Sequence, residues 1–141
     1  MGVTIRSPKN SIDMGYGGFQ RLRLTISKLC PKEIADHYEY LIKNLFRLSH
    51  DKEECDIYDK ETERLYSKYK NYAKVMNFLY APDIDAQLSY GTAKQLLKVI
   101  GDYDDDVIYG YAGWGDDAAR FADFKEILQD CVEAKKPLKW N

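Results

Sequence analysis

The residue types that most often reveal a chemistry are scarce in this 141-residue sequence. It has two histidines, His37 and His50, and three cysteines, none of them in a CxxC pair. An odd number of unpaired cysteines argues against a secreted disulfide framework and favours a reducing compartment. The spacings of histidine and cysteine match no closed zinc site. We therefore expect neither a metal nor a cofactor.

Long apolar runs and an excess of one charge are also missing. No stretch is long and apolar enough to cross a membrane, and the first residues lack the apolar core of a signal peptide. The 21 basic and 23 acidic residues leave a net charge of −2, so no overall field attracts nucleic acid. These absences predict a cytoplasmic protein that binds neither membranes nor nucleic acid.

What is present is the composition of a globular chain, 45% hydrophobic and 31% charged, and its length suits one core. Apolar residues recur at three- and four-residue steps through most of the sequence, which predicts about five helices. Two β-prone segments, residues 3–6 and 137–140, stand at the ends of the chain and are expected to pair. We predict a mainly α, single compact domain over residues 1–141 with a small two-stranded annex.

Local signals predict where the helices begin and end. Pro31 suits the start of the second helix, whose inward residues would continue to Phe46. Asp51 is followed three residues later by Glu54, a capping box that opens a long helix ending at residues 81–82, where proline follows. A second capping box, Thr92 with Gln95, predicts the start of the next helix.

The most unusual connector is residues 101–117, GDYDDDVIYGYAGWGDD, between two predicted helices. It contains six aspartates, three tyrosines and one tryptophan. The alternating aspartates do not match a calcium loop, because Val107 occupies the position that needs glycine. Aspartates that cap a helix, and rings that belong to the core, are the structural alternatives. Because tyrosine and tryptophan are enriched at interfaces, we predict a partner-binding surface here. Its residues would be Asp104, Asp105, Tyr109, Tyr111 and Trp114.

A glycine-rich connector, residues 11–18 with the sequence SIDMGYGG, leads into a helix that carries two arginines. Free backbone N–H groups at a helix start and nearby guanidinium groups suit an anion. The spacing is not that of a phosphate loop, and glycines that permit a tight turn are the structural alternative. The alternative site, for a phosphate-bearing or nucleotide-like ligand, would consist of Tyr16, Gly17, Gly18, Arg21 and Arg23.

Tyrosine is abundant, with 12 residues. Five of them return to one helical face, which is more typical of a helix that packs on its neighbours than of a base-stacking platform. Tyrosine in place of leucine indicates a seam that is half exposed to water, as at a subunit interface or in a groove. Association of the chain into a homodimer is therefore one of the alternatives. The five are Tyr58, Tyr66, Tyr69, Tyr72 and Tyr80.

Several segments together resemble a known family. They are SIDMGYGGF at residues 11–19, YGT at 90–92, GDYDD at 101–105 and YGYAG at 109–113, with DFK at 123–125 and Cys131. The chain resembles short, uncharacterised proteins of Gram-positive gut bacteria, often encoded in prophages and other mobile elements. The resemblance implies an accessory protein of a mobile element, and small proteins of this kind often bind the machinery of the host or of a rival element. No functional residue is carried over from it.

These observations favour a binding protein over an enzyme, because no serine or cysteine lies at a spacing from a histidine that would indicate a catalytic pair. We expect a non-enzymatic accessory or regulatory protein with a protein partner, one that modulates a host defence or regulatory system. The alternative is a small-ligand module at the glycine-rich turn.

Replacing Tyr111 and Trp114 by alanine tests the partner-binding surface. If both rings point outward, the variant keeps the far-ultraviolet circular dichroism and melting temperature of the parent and loses capture of its partner. The control is Phe124→Ala, since the helical pattern places Phe124 inward and truncation of a buried ring costs about 3–5 kcal/mol. A loss of stability in the double variant as large as that of the control would show that the rings belong to the core.

Overall fold

A computed structural model of the chain describes residues 2–103 and 121–141. Within these two ranges the backbone forms seven α-helices, one 3-10 turn and four strands. The mainly α class predicted from the sequence is confirmed, whereas five helices and two strands were an undercount. The helices are α1 (Tyr16–Lys28), α2 (Lys32–Lys43), α3 (Leu45–His50), α4 (Lys52–Lys68), α5 (Ala73–Tyr80), α6 (Tyr90–Ile100) and α7 (Phe121–Ala134).

The four strands are β1 (Val3–Arg6), β2 (Ser11–Met14), β3 (Ala86–Leu88) and β4 (Leu138–Trp140). They form one antiparallel sheet in the order β2-β1-β4-β3. The predicted pairing of the chain ends is confirmed, with Ile5 opposite Trp140. Residues alternate across the sheet, so that Val3, Ile5 and Trp140 are buried against the helices. Strands β2 and β3 were not predicted, because such short segments gain their order from the neighbouring strand.

The core lies between this sheet and the helices. Helices α6 and α7 pack on each other and both contact β4, while α1 contacts β2, α2 and α5. Phe19, Phe78 and Trp140 meet in the centre with ring centroids 5.6–6.1 Å apart. Among the helices that the structure describes, none is long and apolar enough to span a membrane.

The second predicted helix ends earlier than expected. Asn44 leaves the helical conformation with φ −129° and ψ 28°, and its side-chain amide donates to the Tyr40 carbonyl oxygen at 2.8 Å. The expectation that Leu45 and Phe46 point inward is wrong, since they are 51% and 76% exposed. A short polar side chain that bonds to the backbone competes with continuation of the helix.

The long helix predicted after Asp51 is interrupted. A 3-10 turn, Lys70–Tyr72, separates α4 from α5, and Tyr69 at the junction has φ −113° and ψ 59°. The Tyr69 hydroxyl donates to the Glu33 carboxylate at 2.8 Å. Beyond the break, α5 is more deeply buried than α4, with both Val75 and Phe78 at 0% exposure.

The predicted cap of α4 is confirmed, because the Asp51 side chain accepts from the Glu54 backbone N–H at 3.1 Å. The predicted end at residues 81–82 is confirmed as well, since α5 stops at Tyr80. The cap predicted for the following helix is wrong. Ser89 caps α6 and its hydroxyl accepts from the Thr92 N–H at 3.3 Å. Thr92 itself is 3% exposed and already inside the first turn.

Ser89→Ala should lower the free energy of unfolding by about 0.5–2 kcal/mol, because it removes the side-chain acceptor at the start of α6. Urea denaturation followed by circular dichroism measures the change. The matched control is Ser67→Ala, the same substitution at an exposed position within α4. If both variants unfold at the same urea concentration, Ser89 does not act as a cap.

Candidate functional site

A cleft of about 270 Å³ lies where the first two turns of α1 meet α2, the start of α3 and the end of α5. One part of its wall is apolar and is formed by Leu41, Ile42, Leu45, Leu79 and Ala81. The other part carries polar groups from Tyr16, Gln20, Arg23, Tyr38, Tyr80 and Asp83. Four lining residues are exposed, and they mark the opening to solvent: Tyr16, Gly17, Leu45 and Asp83.

Arg23 supplies the buried charge of this cleft. It is only 5% exposed, and its guanidinium carbon lies 4.2 Å from the centroid of the Phe19 ring. Nη1 donates to Asp83 Oδ1 at 3.1 Å, and Nη2 donates to the Pro82 carbonyl oxygen at 3.4 Å. Burial lowers the pKa of Arg23, while the nearby Tyr38 and Asp83 act in the opposite direction. Because an arginine remains protonated in proteins, the cleft contains a permanent positive charge.

Two polar atoms beside the cleft lack a hydrogen bond. Among the described residues, the buried side-chain nitrogen and oxygen atoms without a partner are Arg23 Nε and Tyr80 Oη, and both residues line the cleft. A hydrogen bond with the Tyr58 hydroxyl affects the pKa of Tyr80, and Tyr58, which donates to the His37 carbonyl oxygen at 3.0 Å, can still accept from Tyr80. Buried polar atoms are seldom left unpaired, so Arg23 Nε is the atom that indicates a place where a polar partner binds.

Tyr38 and Tyr80 belong to an aromatic cluster that forms the back of the cleft. Their ring centroids are 5.9 Å apart, and Tyr80 also meets His37 at 6.0 Å. His37 stacks on Tyr58 at 3.9 Å, and its Nε2 lies 2.7 Å from Thr62 Oγ1. Burial raises the pKa of Tyr38 to about 12, so its hydroxyl is neutral and can donate a hydrogen bond. We call His37, Tyr38, Tyr58 and Tyr80 the aromatic cluster.

The residues of the predicted anion site are divided between two environments. Tyr16, Gly17 and Arg23 line the cleft. Gly18 is buried in the helix packing, whereas Arg21 is exposed, with Nη1 3.9 Å from the position of a Cβ added at Gly17. Residues two apart on a helix point in different directions, so the two arginines do not converge. The first backbone N–H groups of α1 have no partner within the helix, and the Gly15 cap supplies no side chain.

The sequence alone does not indicate that Asp83, Tyr38, Leu45 and Leu79 belong to one site. Asp83 is 60 positions from Arg23, and no spacing rule relates them. Leu79 and Tyr38 recur with other apolar residues at helical spacing, and this period cannot distinguish a core residue from one at the back of a cleft. The exposed Leu45 depends on the early end of α2, which the periodicity also did not indicate.

The predicted partner-binding surface cannot be located in the same way. Asp104, Asp105, Tyr109, Tyr111 and Trp114 lie outside the described residues. Within the described ranges, no group of three or more histidine, cysteine, aspartate or glutamate side chains is arranged to hold a metal ion.

Comparisons with protein-family models, with curated proteins and with solved structures found no match to this chain. The resemblance to proteins of gut bacteria and their prophages stays a prediction from the sequence. The cleft is therefore the feature of the molecule from which a function is proposed.

His37 makes the stability of the protein sensitive to mild acid. Burial lowers the pKa of His37 below its ordinary value of 6.5, so the folded state favours the neutral ring. As the pH falls below 6.5, the unfolded chain binds a proton that the folded chain resists. The free energy of unfolding keeps its full value above pH 6.5. It decreases as the pH falls toward the pKa of His37 in the folded state, by up to about 1.4 kcal/mol for each pH unit. Glu33, whose pKa Lys68, Arg64 and Tyr69 lower to about 2, changes charge at a more acidic pH.

Urea denaturation at pH values on both sides of 6.5 tests this prediction. His37→Gln, which can still bond to Thr62, should lose most of the difference between neutral and mildly acidic pH. The control, His50→Gln, changes an exposed histidine of α3 and should keep the behaviour of the parent. An equal loss of stability in acid for both variants and the parent would exclude His37 as its cause.

Proposed function

We propose that the protein is a non-enzymatic binding module, and that its cleft takes a small molecule with one anionic group and an apolar body. The observation that carries the proposal is the Arg23 guanidinium, 5% exposed and lining a cleft, with a carboxylate partner whose side chain is 58% exposed. It modifies the alternative predicted for the glycine-rich turn, which was a site for a phosphate-bearing or nucleotide-like ligand. Of the residues predicted there, Tyr16, Gly17 and Arg23 line the cleft.

The charge of Arg23 supports an anionic ligand. A guanidinium group in surroundings of low dielectric attracts an anion more strongly than the same group in water. Its planar donors also suit the oxygen atoms of carboxylate and phosphate groups. Tyr38 adds a neutral hydroxyl beside the guanidinium, and Tyr16 adds a second phenol at the opening. Each can donate to an oxygen of the same anion.

The size and the apolar wall of the cleft support a small ligand. Its volume of about 270 Å³ is slightly below the range of about 300–1,000 Å³ that is typical of drug-sized ligands. Leu41, Ile42, Leu45 and Leu79 provide a surface for an aliphatic or aromatic body. Such burial contributes about 25 cal/mol for each Å² of apolar surface removed from water.

A second proposal is binding to a protein partner, as expected of an accessory protein that modulates a host defence or regulatory system. The exposed apolar side chains of α3 and α4 support it. Phe46 is 76% exposed and Ile57 is 59% exposed, so a partner that covers these side chains would remove apolar surface from water. The residues that would bind the partner in the acidic, aromatic connector are tested by the Tyr111 and Trp114 variant described above.

A thermal-shift experiment with small organic anions tests the first proposal. Alkyl and aryl carboxylates and phosphate monoesters at millimolar concentration should raise the melting temperature. A ligand at a hundred times its dissociation constant stabilises the native state by about 2.7 kcal/mol. Uncharged amides of the same acids should raise it less. Absence of a shift with every anion would refute the proposal.

Leu45→Glu should abolish the shift, because it removes apolar surface at the opening and adds a negative charge that repels an anion. The matched control is Ile57→Glu, the same change at a position of similar exposure, 59% against 51%, that does not line the cleft. The control should keep the full shift. If Ile57→Glu loses it as well, the anions bind outside the cleft.

A further inference from the structure

We propose that the Asp83 carboxylate occupies the position of the ligand's anionic group, and that the ligand is a monocarboxylate with an apolar tail that displaces Asp83 from Arg23. This inference rests on the proposed function and specifies the ligand class and the group with which the ligand competes.

Asp83 has the properties of a replaceable partner. Its Oδ1 accepts from Arg23 Nη1 at 3.1 Å, yet its side chain is 58% exposed, whereas that of Arg23 is 6% exposed. An exposed carboxylate regains its hydration when it turns outward, so its departure costs little. The guanidinium cannot follow, because it lies on the Phe19 ring and its Nη2 also donates to the Pro82 carbonyl oxygen.

The backbone next to Asp83 is held in place while its side chain is exposed. The Pro82 carbonyl oxygen accepts from Trp140 Nε1 at 2.9 Å in addition to Arg23. Trp140 is 2% exposed and belongs to β4, so Pro82 is fixed to the sheet. Displacement of Asp83 therefore needs a rotation of its side chain and no unfolding of the segment. Arg23 Nε, which has no partner, is a further donor for the incoming oxygen atoms.

Charge balance favours a carboxylate over a phosphate. One guanidinium charge is matched by one carboxylate charge, which is the pairing already present between Arg23 and Asp83. A phosphate monoester carries a charge of about −1.5 to −2 at neutral pH. It would leave excess negative charge in a partly buried site with Asp83 still nearby, and uncompensated charge in such surroundings is costly. Of the residues lining the cleft, Arg23 is the one that carries a positive charge.

The apolar wall specifies the rest of the ligand. Leu41 and Leu79 lie at the side of the cleft, and Leu45 lies at its opening. A ligand with a branched aliphatic or aromatic tail of a few carbons can contact these apolar residues while its carboxylate binds the Arg23 guanidinium. Isocaproate has this form, a branched alkyl chain that ends in one carboxylate.

The test compares the dissociation constant of isocaproate for the parent and for Asp83→Asn. Asparagine keeps the shape of the side chain and removes the competing charge, so the variant should bind at least about fivefold more tightly. The Nε–H resonance of Arg23 in a heteronuclear NMR spectrum, assigned by its loss in Arg23→Lys, should shift on binding. Isocaproamide and isoamyl phosphate, which change the head group, should both bind more weakly than isocaproate. A pentapeptide ending in leucine tests whether the carboxylate comes from a polypeptide.

The outcomes separate the two proposals. If neither the parent nor Asp83→Asn binds any of these probes, the proposed function fails and this inference fails with it. If the parent binds isocaproate but Asp83→Asn binds equally or less tightly, displacement of Asp83 is wrong and the proposed function stands. Tighter binding of isoamyl phosphate, or binding of the peptide alone, overturns the small monocarboxylate. If Arg23→Lys does not fold, the Leu45→Glu variant serves as the non-binding control and the Nε–H resonance is assigned by standard triple-resonance methods.

Discussion

The carbonyl oxygen of Pro82 joins three parts of the molecule that are distant in the sequence. It accepts from Arg23 Nη2 in α1 and from Trp140 Nε1 in β4, at 3.4 and 2.9 Å. Proline ends α5, because Ala81 before it takes an extended conformation with ψ 152°. The carbonyl group that this turn directs inward then satisfies two buried donors. The first helix, the end of the fifth and the last strand thus meet at one atom, and the cleft lies beside it.

The tyrosines between Tyr58 and Tyr80 include several that join one element to another. Three of them use their hydroxyl groups to join elements: Tyr58 donates to the His37 carbonyl, Tyr66 to Asn77 and Tyr69 to Glu33. Within α4, which is described throughout, Leu65 alone is fully buried. A helix with so little buried apolar surface needs polar contacts to stay in place, and tyrosine supplies both a ring and a donor. The half-exposed seam predicted from the sequence corresponds to this packing of α4 on α2.

Features governed by neighbouring residues could be predicted, and those governed by distant contacts could not. Asp51 caps α4 through a residue three positions away, and Pro82 stops α5 through its own ring, so both effects are visible in the sequence. The break at Tyr69 depends on Glu33 in another helix. Arg23 was selected for its place near glycines, but the property that makes it a candidate, burial beside a replaceable carboxylate, arises from Asp83. Helical periodicity therefore indicated the class of fold and missed most of the cleft.

The charged residue at position 23 has a structural role and also an unusual environment. The surroundings of Arg23 are aromatic, with Phe19, Phe78 and Trp140 all within 5.7 Å of its guanidinium carbon. An apolar side chain of similar volume would fill this space without the cost of desolvating a charge, and replacement of buried ion pairs by apolar residues is often neutral or stabilising. The pair with Asp83 is also unequal, since one member is enclosed and the other is in contact with water. A fixed cation whose counter-charge is in contact with water can exchange that counter-charge for a second anion, and this asymmetry is the reason for proposing the cleft as a binding site.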